Sequence, residues 1–362
     1  MSAAASPERS SLSIRAAIPP NNLTELGRDA MRALVADLGQ PAYRADQLFR
    51  WVFQKGARDL DAMTNVPKTL RAQLREAGYG VGRVTVGRVA ESIDSTRKLS
   101  IKLQDGGVVE TVLIPMEEGQ FTQCLSSQLG CALDCKFCYT GTLGLSRHLT
   151  AGEIVDQVIV ARAALPPGAR VTHLVYMGMG EPLHNFDGVV DSLGPICDPD
   201  GLGYSLRKVT VSTSGLVPQI ERLGKTAPVN LALSLNASND AVRDAIMPVN
   251  KRYPLASLMK ALREYPLPPR RKLTIEYVLL GGVNDADAHA RELAVLLRGL
   301  PVRINLIPWN PFSGTGFERP ADEQVRAFQQ ILKDRDYTVT VRTTKGLDID
   351  AACGQLGERP DA

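Results

Sequence analysis

The 362-residue chain has no run approaching the roughly 18 consecutive apolar residues that a membrane span requires. Its opening Met-Ser-Ala-Ala-Ala-Ser-Pro-Glu-Arg lacks the apolar core of a secretory signal, so the cytoplasm is the expected location, with no membrane partner. Charge of one sign is scarce too: the formal net charge is +3, so total charge announces no nucleic acid and only its distribution can. The four histidines, His148, His173, His184 and His289, show no metal-ligand spacing. Cysteine is neither abundant nor spread as a disulfide scaffold would spread it: four of the six, Cys124, Cys131, Cys135 and Cys138, fall within fifteen residues. Such clustering points to metal or redox chemistry. Apolar residues make up 44%, enough for a large domain and a smaller one.

Residues 1–21 are small, polar and Pro-containing, as in a disordered tail; their Ser and Arg content also fits an organelle transit peptide. Residues 22–96 read as a helical domain. Leu34, Val35 and Leu38 form one apolar stripe, Leu48, Trp51 and Val52 a second, and Leu70 and Leu74 a third. Pro67 stands where a helix would start, and Gly56 and Gly78 where helices would stop. Over 97–116, Leu99, Ile101 and Leu103 alternate with polar residues, Asp105-Gly106-Gly107 turns, and Val108–Ile114 runs back. This predicts a connecting β-hairpin with Glu110 on its second strand.

From Thr122 the pattern alternates strands with helices. Strands are predicted at 122–127, 173–177, 208–212, 229–235, 273–279 and 302–307, and helices at stretches such as 151–165, 239–246, 285–297 and 322–332. Parallel strands with crossover helices follow, as an open doubly wound sheet or as a barrel; periodicity does not choose. The unusual residues all follow or end a strand: Cys131 to Cys138, Gly178–Pro182, Ser212–Gly215, Ser234-Leu235-Asn236 and Pro308–Pro311. In parallel α/β folds, sites gather at the carboxyl ends of strands, so these five features share one rim.

Cys131-Ala-Leu-Asp-Cys135-Lys-Phe-Cys138 is CxxxCxxC. Three thiolates on a tight loop hold three irons of a 4Fe-4S cluster and leave the fourth iron open. This spacing resembles the radical S-adenosylmethionine superfamily. The alternative is a structural zinc site with Cys124 as fourth thiolate. Alone, Gly178-Met179-Gly180-Glu181-Pro182 is an ordinary strand-to-helix turn. Beside the cysteines it resembles the superfamily's GGEP-type segment, whose backbone and acid, here Gly180 and Glu181, bind the amino group of the cofactor's methionine. Ser212, Ser234 and Asn310 resemble further cofactor-binding positions.

The segments Glu110–Val112, Cys124–Cys131, Tyr176–Pro182, Val211–Gly215, Ile307–Pro311 and Asp348–Leu356 together resemble the radical S-adenosylmethionine RNA adenine methyltransferases, the RlmN/Cfr family. The resemblance runs in consistent order from about Asp46 to Leu356 and implies a partial (β/α)6 barrel over 117–350. A terminal segment, 351–362, would carry Cys353. It implies one 4Fe-4S cluster on Cys131, Cys135 and Cys138, and two S-adenosylmethionine molecules per turnover. One methylates Cys353; the other is cleaved to a 5'-deoxyadenosyl radical that takes a hydrogen from that methyl. The methylene radical then adds to carbon 2 of an adenine in large-subunit ribosomal RNA or transfer RNA. By the same resemblance Cys124 resolves the crosslink, Glu110 is the base, and Ser234-Leu235-Asn236 contacts the cofactor. Asn236 stands where the family has His, so no part needing an imidazole transfers to it, while a backbone contact does. Cys197 matches nothing. An electron donor such as a flavodoxin and a monomeric state are also implied. The alternatives are methylation at carbon 8 by the same machinery, and a zinc-stabilised RNA-binding protein without activity.

Local charge agrees with an RNA partner. Residues 40–100 hold 11 Lys and Arg against 6 Asp and Glu, a surplus of 5 that exceeds the whole chain's +3. Arg44, Arg50, Lys55, Arg58, Lys68, Arg71 and Arg75 fall on or beside the helical module, as a solvated helix surface or as phosphate contacts.

Overall fold

The computed structural model describes residues 21–82, 84–117 and 119–358, so the expected tail lies outside the described residues except for Asn21. The amino-terminal module packs three helices, α1 (Arg28–Asp37), α2 (Tyr43–Phe49) and α3 (Lys68–Glu76), and α2 continues into a π turn over Arg50–Gln54. Met31, Val35, Leu48, Val52, Leu70 and Leu74 are fully buried between them, which is why the three apolar stripes exist. Pro67 caps α3, where its missing N–H leaves no gap in the helix. Gly56 and Gly78 take left-handed φ values of 65° and 77° just past helix ends.

Ion pairs fasten this module to the rest. The Arg28 guanidinium forks onto Asp198 at 2.9 and 2.7 Å, Arg50 reaches Asp200 at 3.1 Å, and Arg58 reaches the buried Asp156 at 2.7 Å. Arg71 and Arg75 share Asp61 at 3.0 and 2.7 Å. Much of the local charge surplus is therefore structural.

Twelve strands follow among the described residues: β1 (Thr85–Glu91), β2 (Arg97–Lys102), β3 (Val108–Pro115), β4 (Gln120–Cys124), β5 (Gln128–Gly130), β6 (Leu145–His148), β7 (Arg170–Tyr176), β8 (Val209–Thr213), β9 (Asn230–Ser234), β10 (Leu273–Leu279), β11 (Val302–Pro308) and β12 (Thr338–Val341). Ten of them form one sheet in the order β1-β2-β3-β4-β7-β8-β9-β10-β11-β12. Pairing is antiparallel from β1 to β4 and parallel from β4 onward. A sequential order without reversal is barrel winding, so the core is a partial barrel and not a doubly wound sheet. The hairpin β2–β3 forms as expected, but it continues the barrel sheet through β4. β1, inside the stretch read as purely helical, extends that sheet further. Most of its residues are exposed, so no buried alternation marks it.

Crossover helices Ala151–Ala163, Phe186–Cys197, Val217–Thr226, Asp240–Ile246, Leu255–Glu264, Asp287–Leu296 and Asp322–Lys333 cover the sheet. The first opens on a Thr150–Glu153 capping box. No helix among the described residues is long and apolar enough to cross a membrane.

Candidate active site

The carboxyl ends of the parallel strands surround a cavity of about 990 Å³, open mouth included. Cys131, Cys135, Cys138, Gly180, Glu181, Ser212, Ser234, Asn236, Asn310 and Cys353 all line it. The cysteine loop leaves β5, runs through the short helix Tyr139–Thr142 and returns along β6, a pair that forms its own small sheet. Gly130 closes the neck of this loop: its φ is 77°, and a Cβ there would strike the Gly144 carbonyl that accepts from the Cys131 N–H at 2.9 Å.

Burial pushes the Cys131 thiol up to about 12 and raises Cys135 and Cys138 as well. Anionic ligation there needs compensating charge. Arg243, fully buried, supplies it beside Cys135, although burial pulls its own value down to about 10. Its guanidinium donates to the Leu235 carbonyl at 2.9 Å, the Ser214 carbonyl at 2.6 Å and Asn250 Oδ1 at 2.9 Å. Among the described residues, no three His, Cys, Asp or Glu side chains converge on a single-ion position. A cubane takes one thiolate at each of three irons, so its ligands must face one cavity and need not share one point. The three cysteines meet that condition.

Glu181 is 3% exposed, and its carboxylate accepts from the Ser214 N–H at 2.8 Å and the Leu183 N–H at 3.2 Å. Burial raises its carboxyl and these amides lower it, which suits a site for an ammonium group. Gly180, at φ 97°, leaves no room for a Cβ against Gln128, whose Oε1 accepts from the Glu181 N–H at 2.7 Å. Ser212 Oγ and Ser234 Oγ stand 3.5 Å apart. Asn236 occupies the left-handed region at φ 56°, which Asn tolerates better than most residues. Its Oδ1 accepts from the Val278 N–H at 2.8 Å and its Nδ2 donates to Met247 Sδ at 3.3 Å. The amide thus ties the end of β9 to β10. Replacing Asn236 by Ala should cost about 2 kcal/mol of stability, from the lost acceptor and the left-handed backbone. An unchanged urea midpoint would show that this bridge contributes nothing.

Three predicted residues lie outside this cavity. Leu235 is fully buried, with its N–H bonded to the Glu276 carbonyl at 3.0 Å and its carbonyl held by Arg243, so it has no group left for a ligand. Cys124, at the end of β4, lines a second, smaller cavity whose other wall includes Cys353. Cys353 therefore stands between the two cavities. All six cysteines are free thiols. Glu110 lies in a neighbouring cleft, 3.0 Å from Lys98 Nζ, and accepts from the Gly357 N–H at 2.8 Å.

That last contact helps seat the segment bearing Cys353. The Tyr139 N–H donates to the Gly354 carbonyl at 2.7 Å, Thr140 Oγ1 to the Leu356 carbonyl at 2.6 Å, and Asn310 Nδ2 to the Cys353 carbonyl at 3.0 Å. The helix that follows Cys138 thus also positions Cys353.

Two residues escaped the sequence reading. Arg342, just past β12, lines both cavities and hydrogen-bonds Cys353, whose charge, ahead of that of Glu276, favours the guanidinium cation. Nothing local marks it. Glu276 on β10 is 5% exposed; Oε1 accepts from Asn305 Nδ2 at 2.9 Å, Oε2 lacks a partner among the described residues, and burial raises the carboxyl. A lone acid within the apolar run Leu273–Leu279 was the available signal.

Residues 21–79 match the family model of the ribosomal RNA large subunit methyltransferase N-terminal domain, and residues 125–294 match the radical SAM superfamily. The chain is 51% identical over 315 residues to a dual-specificity RNA methyltransferase RlmN of Desulfosudis oleivorans, covering 87% of this chain and 84% of that one. With the protein of the same name from Marinobacter nauticus it shares 49% over 341 residues, 92% of each chain. A crystal structure of a radical SAM methyltransferase from Sphaerobacter thermophilus superposes with a TM-score of 0.88 at 44% identity, covering 93% of this chain and 99% of that one. On sequence, fold and the placement of its cysteines, this chain belongs to the RlmN family of radical S-adenosylmethionine RNA methyltransferases.

Proposed function

We propose that the enzyme methylates carbon 2 of an adenine in large-subunit ribosomal RNA and in transfer RNA, by way of a methyl group carried on Cys353. The observation that carries this reading is the position of Cys353 on the wall between two cavities, one lined by the three clustered cysteines and the other by Cys124. The relatives' name, dual-specificity RNA methyltransferase, supports more than one RNA substrate, and the amino-terminal family model names large-subunit ribosomal RNA.

Carbon 2 of adenine is electron-poor and its hydrogen is not acidic, so transfer of a methyl cation to it is unfavourable. When bound, the 4Fe-4S cluster and S-adenosylmethionine supply the carbon radical that this position demands. Cys131, Cys135 and Cys138 hold the cluster. Gly180 and Glu181 take the ammonium group of the cofactor, with Ser212, Ser234, Asn236 and Asn310 lining the rest of its pocket. Cys353 presents the methyl group to both cofactor and base.

Release of product falls to Cys124. Its thiolate attacks the Cys353 sulfur, the S–S bond forms as the S–CH2 bond breaks, and the electron pair passes into the adenine as an enamine that takes up a proton. Glu110 is assigned the base, held in its cleft by Lys98 and the Gly357 N–H. The disulfide must be reduced before the next turnover. An external donor of the flavodoxin kind, a monomeric enzyme and a cytoplasmic location complete the reading.

Mass spectrometry of RNA digested after anaerobic turnover should show 2-methyladenosine. 8-Methyladenosine would reassign the regiochemistry. Unmodified RNA, together with colourless protein carrying one zinc per chain, would return the chain to RNA binding without catalysis.

A further inference from the structure

The ion pairs sort the cations of the helical module into two groups. Arg28, Arg50 and Arg58 are bound to carboxylates of the barrel domain, and Arg71 and Arg75 to Asp61 within the module. Arg44, Lys55 and Lys68 have no carboxylate partner among the described residues. Two of these cations, Arg44 and Lys55, lie against aromatic rings. The Arg44 guanidinium lies 4.6 Å from the centroid of Tyr43, and Lys55 Nζ lies 3.8 Å from that of Trp51.

Asn65 knits the face together. Its Oδ1 accepts from Trp51 Nε1 and its carbonyl accepts from Arg44 Nη1, which also donates to Gln47 Oε1 at 2.6 Å. Lys68 opens α3 three residues further on. Gln47, Trp51 and Lys55 recur every fourth residue along α2 and its π turn, one stripe of one surface. Tyr43 leaves 53% of its surface exposed, although most large apolar side chains of the module are buried.

We propose that this face is the module's RNA contact: an unpaired base stacks on the Tyr43–Arg44 pair, while Lys55 and Lys68 meet phosphates. The inference rests on RNA being the substrate. Aromatic rings bearing a stacked guanidinium extend naturally to a nucleobase, whose π face stacks on either. Free ammonium groups at the margin complement a phosphodiester backbone. A target adenine must leave its stack to reach a cavity at the barrel rim, which requires an RNA with unpaired nucleotides nearby.

Trp51 provides a probe, because the only other tryptophan, Trp309, is 3% exposed in the barrel. The test uses the anaerobic holoenzyme and an unmodified transfer RNA transcript, following indole emission and affinity over a range of salt. RNA should quench the emission of the unaltered enzyme, and Trp51→Phe should lose most of that quench. Tyr43→Ala should weaken binding by roughly tenfold. Lys55→Ala should lower the salt slope by about one, whereas the ion-paired Arg50→Ala should leave it unchanged. Iron content and RNA-independent cleavage of S-adenosylmethionine should stay at the level of the unaltered enzyme in all four. If Tyr43→Ala and Lys55→Ala bind the transcript normally while the unaltered enzyme methylates it, the contact lies elsewhere and the substrate reading stands. If the unaltered enzyme neither binds nor methylates RNA, both fall.

Discussion

Cys353→Ala should abolish methylation and form no protein–RNA adduct, while Cys124→Ala should load the methyl group, add it to the base and stall as a covalent complex. The two thiols differ in place, not in chemical type. Cys353 faces the cavity of the clustered cysteines as well as the smaller one, so it can receive a methyl group and present it. Cys124 is absent from the lining of the larger cavity and borders the smaller one together with Cys353, so the Cys353 sulfur is the reaction partner assigned to it. Denaturing electrophoresis after turnover reads the difference as a retarded, nuclease-sensitive band in Cys124→Ala alone. Normal turnover by Cys124→Ala, or the same band from Cys353→Ala, would sink the assignment.

The resolving step should also depend on pH. Burial pushes the Cys124 thiol up to about 12, with a Cys353 thiolate adding to the rise and Arg342 opposing it; in the adduct the Cys353 sulfur is an uncharged thioether, so burial, the largest cause, carries the rise. Below that value only a small fraction is thiolate, and the fraction grows as pH rises. Release of RNA from preformed adduct should therefore accelerate about tenfold per pH unit between roughly pH 7 and roughly pH 9. A flat profile would mean that a neighbouring group takes the proton in a step that does not titrate there.

Cys135→Ala should eliminate both the cluster and all activity, and Cys131→Ala and Cys138→Ala should do the same. Three thiolates serve three irons and leave no spare ligand. Cys124 cannot substitute, because it lines the other cavity. Iron should fall from about four per chain to background, with loss of the brown colour. Cys197→Ala is the matched control: that residue ends the helix Phe186–Cys197, borders neither cavity and should leave iron and activity unchanged. Full iron in Cys135→Ala would place the cluster elsewhere.

The sequence by itself determined what local spacing can encode. CxxxCxxC puts three cysteines on one loop, six stretches of β pattern give six of the seven parallel strands among the described residues, and Asp105-Gly106-Gly107 announces the β2–β3 turn. The rule that sites gather at strand ends then brought nine predicted residues to one cavity, and the family resemblance added Cys353. Only the tertiary structure decided what depends on distant partners. β12 is four residues long and is a strand because β11 pairs with it; β5 and β6 exist only through each other. Leu235 sits in a motif yet turns its side chain into the core, Glu110 opens on a cleft of its own, and Arg342 gains its place only when β12 docks. The clearest case is charge. Seven basic residues on or beside the helical module look alike in sequence, but Arg50 and Arg58 find carboxylates about 150 and 98 residues away, and only such long-range pairing separates clamp from free surface. Periodicity reports the geometry of one segment; which surface remains free is settled when segments meet.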